Sequence, residues 1–537
     1  MIIFVSDAYV DRYQGGAELT TEAIISGSLF PINKMLSQDI TVNFMERNKH
    51  AYWIFGNFSG VDTRCLLYAA KYLDYSVVEY DYKYCKYRSV KKHELIEGEC
   101  KCVDTHAGKL TATFLAKADR LFWMSEGQKN FYENIFPFLS RNGFVLNSIF
   151  SPDTLQCISG LKTTNKNNKW IILDSPSWIK GTEDAVAYAK ENNLEYELVW
   201  DLKYNSLLKK LAASKGLIFL PKAADTCPRL VIEAKLLGCE MILNEHVQHR
   251  DEEWFSDKDS ILKHLTNRSD VFWQEIENVA YKNLRITPVE TNTAAHFKVV
   301  VPLYNAEKWI SKCVRSLQLQ KNKNFKCYFV DDISTDNSVH NLKKIISDDS
   351  RFTLIQNENK RFALGNIADT LSNIECQDED IVILLDGDDW LASTYTLDIL
   401  ADTYEKNSCL MTYGSYIYNP SGARGIEPSA YPEDVIKSNS YREDHWRASH
   451  LRSFKYSLWK NLNHDDLRDE TGDYYKMAYD QAIMLPLLEM ASDKALYVED
   501  SLYVYNKENP ISVDKIKALE QYNTAQEIRR KKKYTAI

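Results

Sequence analysis

The stretch IVILLDGDDWL, residues Ile381–Leu391, is a run of branched apolar residues that stops abruptly at Asp386, Gly387, Asp388 and Asp389. An apolar run bounded by turn residues predicts a fully buried strand, and open α/β sheets bind ligands at the carboxyl ends of such strands. Carboxylate oxygens suit Mg²⁺ or Mn²⁺, which usually complete their coordination shells with substrate phosphates. The stretch therefore indicates a metal site for a phosphorylated substrate, or alternatively an acidic turn that caps the following helix.

The sequence before this stretch predicts the rest of a parallel sheet. Three apolar runs are each followed by polar residues and then by helical sequence: His296–Leu303, Phe325–Val330 and Arg351–Ile355. In a doubly wound sheet the carboxyl ends of the strands meet along one edge. We therefore expect the polar residues that follow the four strands to line one cleft.

This order of motifs resembles the GT-A fold and, within it, the inverting family-2 glycosyltransferases. The motifs are VVPLYN ending at Asn305, DDISTD beginning at Asp331, and DGDD beginning at Asp386. The resemblance covers residues Phe297 to Asn509 and implies that this part of the chain transfers a sugar from a nucleotide diphosphate sugar. A uridine diphosphate sugar is the family's commonest donor, and Mn²⁺ or Mg²⁺ is the implied cofactor.

The resemblance also implies roles for individual residues. Its donor-contact residues are Pro302 and Tyr304 at the base, Asp332 at the base or ribose, Arg361 at the phosphates and Asp386 at the ribose. Its metal ligands are Asp388 and Asp386, with His450 as an extra ligand of the kind that some relatives use. The alternative to a metal-ligand role for His450 is a purely structural one, as is common for a lone histidine.

An inverting transfer also needs a base that deprotonates the acceptor hydroxyl. The segment Gly472–Met490 places Asp480 at the start of an otherwise apolar helix, about where the family carries its base. The alternative is a helix N-terminal charge, which the helix dipole favours by ~0.3–1 kcal/mol.

The first half of the chain also predicts alternating strands and helices, hence parallel sheets. A loop with Gly15 and Gly16 follows the first strand, and a second α/β unit begins near Lys169. In that unit Trp178-Ile179-Lys180-Gly181 opens a helix. Later, Asp225 lies on a loop and Glu233, eight residues on, lies inside the next helix.

These pieces resemble the retaining, family-4-type glycosyltransferases of GT-B fold. The resemblance implies that Gly15 and Gly16 approach donor or acceptor, that Lys180 contacts the donor diphosphate, and that Asp225 and the catalytic Glu233 handle the donor sugar. The pattern departs from the family in having aspartate as its first acid and DSPS, without a cation, just before the Lys-Gly step. The alternative is a GT-B-like remnant that packs or binds acceptor without transferring sugar.

The length and composition predict a multidomain globular α/β protein. The chain has 537 residues with 45% hydrophobic and 26% charged residues, which is too long for one ordinary core. The expected organisation is two GT-B-like Rossmann-type units at 1–165 and 166–288, a linker at 289–296, a GT-A domain at 297–515 and a basic tail at 516–537, in which Arg529–Lys533 is expected to be solvated.

Charge and targeting signals narrow the function further. The net charge of −9 argues against a protein whose field gathers nucleic acid. The N-terminal MIIFVSD lacks the basic region of a signal peptide, and no apolar run approaches the roughly 20 residues that span a bilayer. We therefore expect a soluble, cytoplasmic protein whose partners are a nucleotide-sugar donor and a carbohydrate or glycoconjugate acceptor.

The 11 cysteines fit reduced thiols better than a disulfide framework. Cys85, His93, Cys100, Cys102 and His106 form a cluster along the chain, but their spacing matches no common zinc pattern. The sequence therefore weighs against a metal there.

The two resemblances together imply a hexosyltransferase-like enzyme, inverting and metal-dependent in its C-terminal domain. The N-terminal half is either a second, retaining transferase or a silent acceptor-binding platform. Two other classes remain as alternatives: a sugar nucleotidyltransferase, and a non-catalytic carbohydrate-binding protein. VPLYNAEKW, in place of a glycine-rich phosphate loop after the strand that ends at Leu303, weighs against the nucleotidyltransferase.

Overall fold

The computed structural model describes residues 1–161, 166–289, 295–510 and 518–537. They divide into two compact units. The N-terminal unit comprises Ile2–Ser28 and Ile32–Asn283, and the C-terminal unit comprises Leu284–Ile537 with Met1 and Leu29–Pro31. Of the linker predicted at 289–296, positions 290–294 lie outside the described residues.

Strands and helices alternate along the N-terminal unit. The strands are β1 Ile2–Ser6, β2 Ile32–Leu36, β3 Tyr52–Phe55, β4 Tyr75–Glu79, β5 Arg120–Trp123, β6 Gly143–Val145, β7 Trp170–Leu173, β8 Tyr196–Val199, β9 Gly216–Phe219 and β10 Glu240–Leu243. The helices are α1 Gly16–Ser26, α2 Val42–Arg47, α3 Thr63–Tyr72, α4 Val90–Glu97, α5 His106–Lys117, α6 Glu126–Ile135, α7 Pro152–Gly160, α8 Thr182–Glu191, α9 Tyr204–Ala213, α10 Arg229–Leu236, α11 Lys258–Thr266 and α12 Arg268–Leu284.

The strands of this unit form two parallel sheets, as the alternation predicts. One sheet has the order β2-β1-β3-β4-β5-β6 and the other has the order β10-β9-β7-β8. Every residue of β3 and β9 is buried, which is expected for parallel strands covered on both faces. The N-terminal unit is therefore Rossmann-like in its layering.

The C-terminal unit begins with alternating strands and helices in a parallel sheet, and antiparallel strand pairs follow later in the chain. Its strands are β11 Phe297–Leu303, β12 Phe325–Asp331, β13 Phe352–Gln356, β14 Ile381–Leu384, β15 Trp390–Leu391, β16 Met411–Asn419, β17 Arg452–Lys455 and β18 Ala495–Asn506. Its helices are α13 Ile310–Gln318, α14 Ser338–Ile346, α15 Phe362–Asn373, α16 Thr396–Asn407, α17 Glu433–Ser438, α18 Tyr456–Lys460, α19 Tyr479–Ala491 and α20 Ala518–Arg529.

These strands form one mixed sheet of order β13-β12-β11-β14-β17-β16-β18-β15. The first four strands pair in parallel, whereas β17 pairs antiparallel with both β14 and β16. The chain runs outward from β11 through β12 to β13 and then returns to the other side of β11 for β14. That reversal is the topological switch point at which open α/β sheets bind their ligands.

The described part of the tail predicted at 516–537 begins with a helix, and Arg530, Lys532 and Lys533 of its basic stretch are exposed. Residues 518–529 form α20, and Ala525 and Ile528, three residues apart on one face of the helix, are buried in the same core as α19. The Arg529 guanidinium donates hydrogen bonds to the Gln481 side chain and to backbone carbonyls. The segment is ordered because its apolar stripe and Arg529 both find partners beside α19.

Across the described residues, we find no helix that combines the length and apolar character needed to cross a bilayer.

Candidate functional site

The DGDD loop lies against the end of β11 at the switch point. The backbone N–H of Gly387 donates to the carbonyl of Pro302 at 3.1 Å. A Cβ atom at position 387 would lie 2.9 Å from that carbonyl oxygen, so a side chain there would push the loop away from β11. The glycine therefore lets Asp386 and Asp388 sit beside Pro302.

Asp386 is held by two tyrosines. Its carboxylate accepts from the Tyr479 hydroxyl at 2.5 Å and from the Tyr503 hydroxyl at 3.4 Å. Burial, with the nearby aspartates, raises the pKa of both tyrosines well above the ordinary value, so their hydroxyls keep the protons that they donate. The carboxylate of Asp386 is thereby fixed in direction while it stays half-buried.

Asp388 and Asp389 follow directly but differ in environment. Half-buried Asp388 accepts from the Asn509 side-chain amide at 2.7 Å. Asp389 is only 1% exposed, and it accepts from the Tyr503 hydroxyl at 2.5 Å and the Asn506 backbone N–H at 2.7 Å. Asp389 therefore ties the loop to β18.

Asp386 and Asp388 are the carboxylates of this loop that fit a metal. They alternate along the chain, both are half-buried, and they lie at the carboxyl end of the central strand β14. Hard oxygen donors of this kind suit Mg²⁺ or Mn²⁺ rather than softer metals.

Asp480 is the second residue of α19, which is buried from Ala482 to Ala491. Its carboxylate lies 3.8 Å from the guanidinium of the buried Arg452. Because the preceding residue, Tyr479, bonds to Asp386, the start of α19 is anchored at the DGDD loop. Asp480 and Asp386 are thus brought to the same end of the sheet.

His450 lies in an aromatic stack beside these groups. Its ring is 4.4 Å from that of Tyr503 and 5.3 Å from that of Tyr505, both nearly parallel to it. Its Nε2 accepts from the Arg452 guanidinium at 3.0 Å. Coordination through Nε2 would require Arg452 to move, and the ligand role of His450 stays a prediction.

The residues predicted at the nucleotide base line the other side of the switch point. The Tyr304 ring is 41% exposed, and the Lys360 ammonium lies 3.4 Å from its centroid. Asp332 is buried, and its carboxylate accepts from the backbone N–H groups of Arg361 and Phe362 at 2.7 and 3.0 Å. Asp332 therefore holds the Lys360-Arg361 loop in place at the start of α15.

Arg361 points along α15 in this structure. Its guanidinium pairs with Asp369 at 2.7 Å, and both side chains are 44% exposed. The contact with phosphates predicted for Arg361 remains a prediction, and the ion pair is open to exchange with solvent.

The N-terminal unit has its own cavity, of about 540 Å³. Five residues selected from the sequence line it, and they are Gly15, Gly16, Lys180, Asp225 and Glu233. The Lys180 ammonium donates to Asp225 at 2.6 Å. These residues lie far apart in the chain and line the same cavity in the structure, while their roles stay predictions.

Glu233 is buried at one wall of this cavity. Its carboxyl accepts from the Tyr204 hydroxyl at 2.8 Å and lies 3.4 Å from Nε of Arg229. Burial raises the pKa of Glu233, and the Arg229 charge opposes that shift. Arg229 itself stacks on Phe150, with its guanidinium carbon 3.7 Å from the ring centroid.

Several residues near these sites escaped the sequence reasoning. Lys360, Tyr479 and Arg452 contact predicted residues in the C-terminal unit, and Arg229 does so in the N-terminal unit. Arg229 and Glu233 are four apart in α10, which is a spacing that brings side chains together on a helix. Arg452 carried no such signal, because it meets Asp480 only through the fold.

With this geometry in view, the comparisons with known proteins define a class for the C-terminal region. Residues 298–462 match the family model described as "Glycosyl transferase family 2". The C-terminal region thus contains a glycosyltransferase family 2 domain, and the match supports a transferase enzyme. The motif that ends at Asn305 and the DGDD loop both lie inside the matched range.

Curated relatives carry the same class in their names. Glycosyltransferase GlyA of Streptococcus pneumoniae serotype 4 is 27% identical over 216 residues, which cover 38% of this chain and 30% of the relative. Glycosyltransferase GlyG of the same organism is 25% identical over 220 residues, which cover 39% of this chain and 70% of the relative. The match to GlyA thus spans less than a third of that protein.

Two solved structures are similar to part of the chain. Staphylococcus aureus TarS 1-349 in complex with UDP-GlcNAc has a TM-score of 0.35 and 19% identity, covering 43% of this chain and 65% of that one. The mannosyltransferase PcManGT from Pyrobaculum calidifontis, in complex with GDP-Man and Mn²⁺, has a TM-score of 0.29 and 15% identity, covering 46% of this chain and 66% of that one.

Proposed function

We propose that the C-terminal unit is a GT-A-type glycosyltransferase that moves a sugar from a nucleotide diphosphate sugar, UDP-linked by first choice, to an acceptor hydroxyl. The observation that carries the proposal is the meeting of the DGDD loop, the end of β11 and the start of α19 at the switch point of the sheet. The match of residues 298–462 to glycosyl transferase family 2 supports it.

In this proposal, the donor binds at the end of β11. The exposed ring of Tyr304 would stack on the base, with Pro302 beside it, once Lys360, now 3.4 Å from the ring centroid, turns away. Asp332 would act through the loop that it holds, from which Lys360 and Arg361, now paired with Asp369, would turn to the diphosphate. Two cations beside the diphosphate suit a leaving group that gains negative charge as the bond to the sugar breaks.

Asp386 and Asp388 would hold a divalent metal, Mn²⁺ or Mg²⁺. When bound, the metal neutralises charge that develops on the departing nucleotide diphosphate. The hydroxyls of Tyr479 and Tyr503 would hold the Asp386 carboxylate in one orientation for metal binding.

Asp480 is the base of this proposal. The acceptor hydroxyl attacks the anomeric carbon on the face opposite the nucleotide, its proton passes to the Asp480 carboxylate, and the bond from the sugar to the diphosphate oxygen breaks. Inversion of the anomeric configuration follows from that geometry. The Arg452 guanidinium, 3.8 Å away, orients the carboxylate.

For the N-terminal unit we propose a second, GT-B-like retaining transfer site, which would make the chain bifunctional. The convergence of Gly15, Gly16, Lys180, Asp225 and Glu233 on one cavity supports this version. Lys180 would exchange its partner Asp225 for the donor diphosphate, and Glu233 would face the donor sugar. The rival is an acceptor-binding platform that uses the same cavity without transfer.

The test is a hydrolysis screen of nucleotide sugars with Mn²⁺ on the intact chain. Asp388→Ala and Asp480→Asn should each lower turnover of the cognate donor by roughly 10²- to 10⁴-fold, the usual cost of removing such groups. Asp378→Asn is the matched control, because Asp378 is 61% exposed and pairs with the surface Lys460. Its turnover should equal that of the wild type.

The outcomes separate the alternatives. If Asp388→Ala hydrolysed every donor as fast as the wild type, the assignment of the GT-A site would be wrong. Unchanged turnover of every donor in Glu233→Ala would remove the bifunctional version. Formation of a sugar nucleotide from a sugar phosphate and a nucleoside triphosphate would favour a nucleotidyltransferase, whereas sugar binding without turnover would favour a carbohydrate-binding protein.

A further inference from the structure

Four side chains of the cysteine and histidine cluster seen in the sequence meet in the N-terminal unit, although their spacing weighed against a metal there. They are Cys85 in the loop after β4, His93 in α4, and Cys100 and Cys102 just before α5. Their ligating atoms, three sulfurs and one ring nitrogen, all lie within 4.8 Å of one another. Cys85, His93 and Cys102 are buried, and Cys100 is half-buried. His106, which the sequence placed in the same cluster, is not part of this group.

The separations match the edges of a tetrahedral zinc site. With Zn–S near 2.3 Å and Zn–N near 2.0–2.1 Å, a regular tetrahedron has S···S edges of about 3.8 Å and S···N edges of about 3.5 Å. Cys85 and Cys100 have their sulfurs 3.7 Å apart. Nδ1 of His93 lies 3.7 Å from the sulfur of Cys85 and 3.4 Å from that of Cys102.

The same distances exclude a disulfide between the cysteines. A disulfide requires sulfurs about 2.05 Å apart, and every cysteine of the chain is free in the structure. Among the described residues, this is the group in which three or more histidine, cysteine or acidic side chains converge closely enough to share an ion. Convergence of three thiols on one imidazole nitrogen therefore needs a reason beyond core packing.

The histidine is also oriented as a metal-binding histidine usually is. Ligating imidazoles generally direct the second ring nitrogen toward a carboxylate or carbonyl, which fixes the ring. Here Nδ1 faces the sulfurs and Nε2 lies 3.7 Å from the Glu97 carboxylate. Glu97 in turn accepts from Lys86 at 2.6 Å and from the Tyr87 hydroxyl at 2.5 Å.

We propose that Cys85, His93, Cys100 and Cys102 bind one structural Zn²⁺ ion. Binding replaces the three thiol protons, which are released to solvent, and leaves three thiolates and one neutral imidazole around the metal. Four protein ligands complete a tetrahedral shell without an open position for water or substrate, so the ion is structural rather than catalytic.

The site would fix a segment that reaches the N-terminal cavity. Tyr87 and Arg88 lie between the first two ligands, and both line the cavity. Arg88 is paired with Asp81 and donates to Asn57 at 3.3 Å. Zinc would close the loop from Cys85 to Cys102 and so hold Arg88 at the cavity wall, whatever ligand the cavity takes.

The direct test is the metal content of the full chain, purified in reductant without a metal-affinity tag. Elemental analysis should find one zinc per chain. Cys100→Ser and His93→Ala should lose it, and His93→Cys, which restores a fourth ligand, should retain it. Cys157→Ser is the matched control, because Cys157 is also half-buried in the same unit but lies outside the cluster.

A second measurement does not depend on how the variants fold. Replacement of the metal by Co²⁺ in the wild-type chain should give the visible bands of a tetrahedral site with thiolate charge transfer. Wild-type protein that contains no zinc and shows no such bands with Co²⁺ would overturn the proposal. Zinc retained by both Cys100→Ser and His93→Ala would overturn it as well, and neither readout involves sugar transfer.

Discussion

At Glu233, two influences act on one carboxyl in opposite directions. Burial raises its pKa, because the charged form loses its hydration inside α10. The Arg229 charge and the hydrogen bond from Tyr204 favour the charged form and oppose the shift. The balance leaves the pKa of Glu233 above the ordinary value of a glutamate. In the proposed site this carboxyl would face the donor sugar.

Glu233→Gln should therefore change the pH dependence of stability. The native chain holds this proton more tightly than the unfolded chain, in which a glutamate has a pKa of about 4.3. The stability contributed by the carboxyl is complete below that pKa and is lost as the pH rises through the raised folded pKa. Glutamine does not titrate, so the free energy of unfolding of the variant minus that of the wild type should increase with pH. Urea unfolding between about pH 4.5 and about pH 8 measures it.

The matched control for this prediction is Glu183→Gln. Glu183 is 87% exposed, and its bond to Lys222 lowers its pKa. The difference should then have the opposite, small slope, since a lowered pKa gives stability that is lost as the pH falls. A Glu233→Gln difference that stays flat over the range would contradict the burial argument.

At the scale of elements, the turn after Lys180 depends on one backbone conformation. Gly181 has φ of +64°, and a Cβ atom there would lie 1.8 Å from the Leu220 carbonyl oxygen. The glycine both permits the left-handed turn and lets α8 start against the end of β9. The turn at Gly181 therefore places Lys180 at the wall of the cavity.

Gly181→Ala should lower the free energy of unfolding by at least about 1–2 kcal/mol, because the left-handed conformation alone costs that much for a side chain. Donor or acceptor affinity at the N-terminal cavity should fall with it, since Lys180 must shift. Gly160→Ala, at the end of α7 with no atom near its would-be Cβ, should leave both quantities nearly unchanged. Chemical denaturation and ligand titration measure the two effects, and equal behaviour of the two variants would contradict the account.

The parallel sheets could be predicted because their strands are local patterns. TrpIleIleLeu at Trp170–Leu173 and the apolar run that starts at Ile381 are recognised from adjacent residues alone. The strands beyond β14 were missed for the opposite reason. β16 and β18, which pair in parallel, are about eighty positions apart along the chain, and their register shifts between Gly414 and Tyr416, so no local sequence pattern indicates the pairing.

The candidate sites also differ in whether their residues lie in a local sequence pattern. Asp386 and Asp388 stand in one motif beside a recognisable strand, and Asp480 opens a recognisable apolar helix. The cysteine cluster has the spacing C-x7-H-x6-C-x-C, which spans a helix and two loops. Such spacing resembles no compact motif, because the chain folds back on itself between the ligands.

At the scale of the whole molecule, the two predicted ligand sites use separate residues. The cavity of the N-terminal unit is lined by residues between Tyr13 and Glu233, whereas the C-terminal site uses residues from Pro302 to Asp480. The carboxylates described at the N-terminal cavity, Asp81, Asp225 and Glu233, lie after different strands or in α10, and each already contacts a cationic side chain. Only the C-terminal site is therefore expected to need a divalent metal.

Calorimetric titration of a nucleotide diphosphate sugar should accordingly show two classes of binding. One class should persist without Mn²⁺ or Mg²⁺ and disappear in Glu233→Ala or Lys180→Ala. The other should appear only after Mn²⁺ is added and be lost in Asp388→Ala. Binding that depends wholly on metal would contradict two donor sites and leave the N-terminal unit as an acceptor platform.

The Arg361–Asp369 pair affects how donor binding at the proposed C-terminal site depends on ionic strength. An exposed pair of this kind is worth only about 0–1 kcal/mol, so a diphosphate can draw Arg361 away at little cost. Dissolved salt weakens the resting pair and the arginine–diphosphate contact alike. In the proposed donor site, part of the salt effect on donor binding would therefore cancel, and the affinity for an anionic donor would fall less with rising ionic strength than it would with an unpaired arginine.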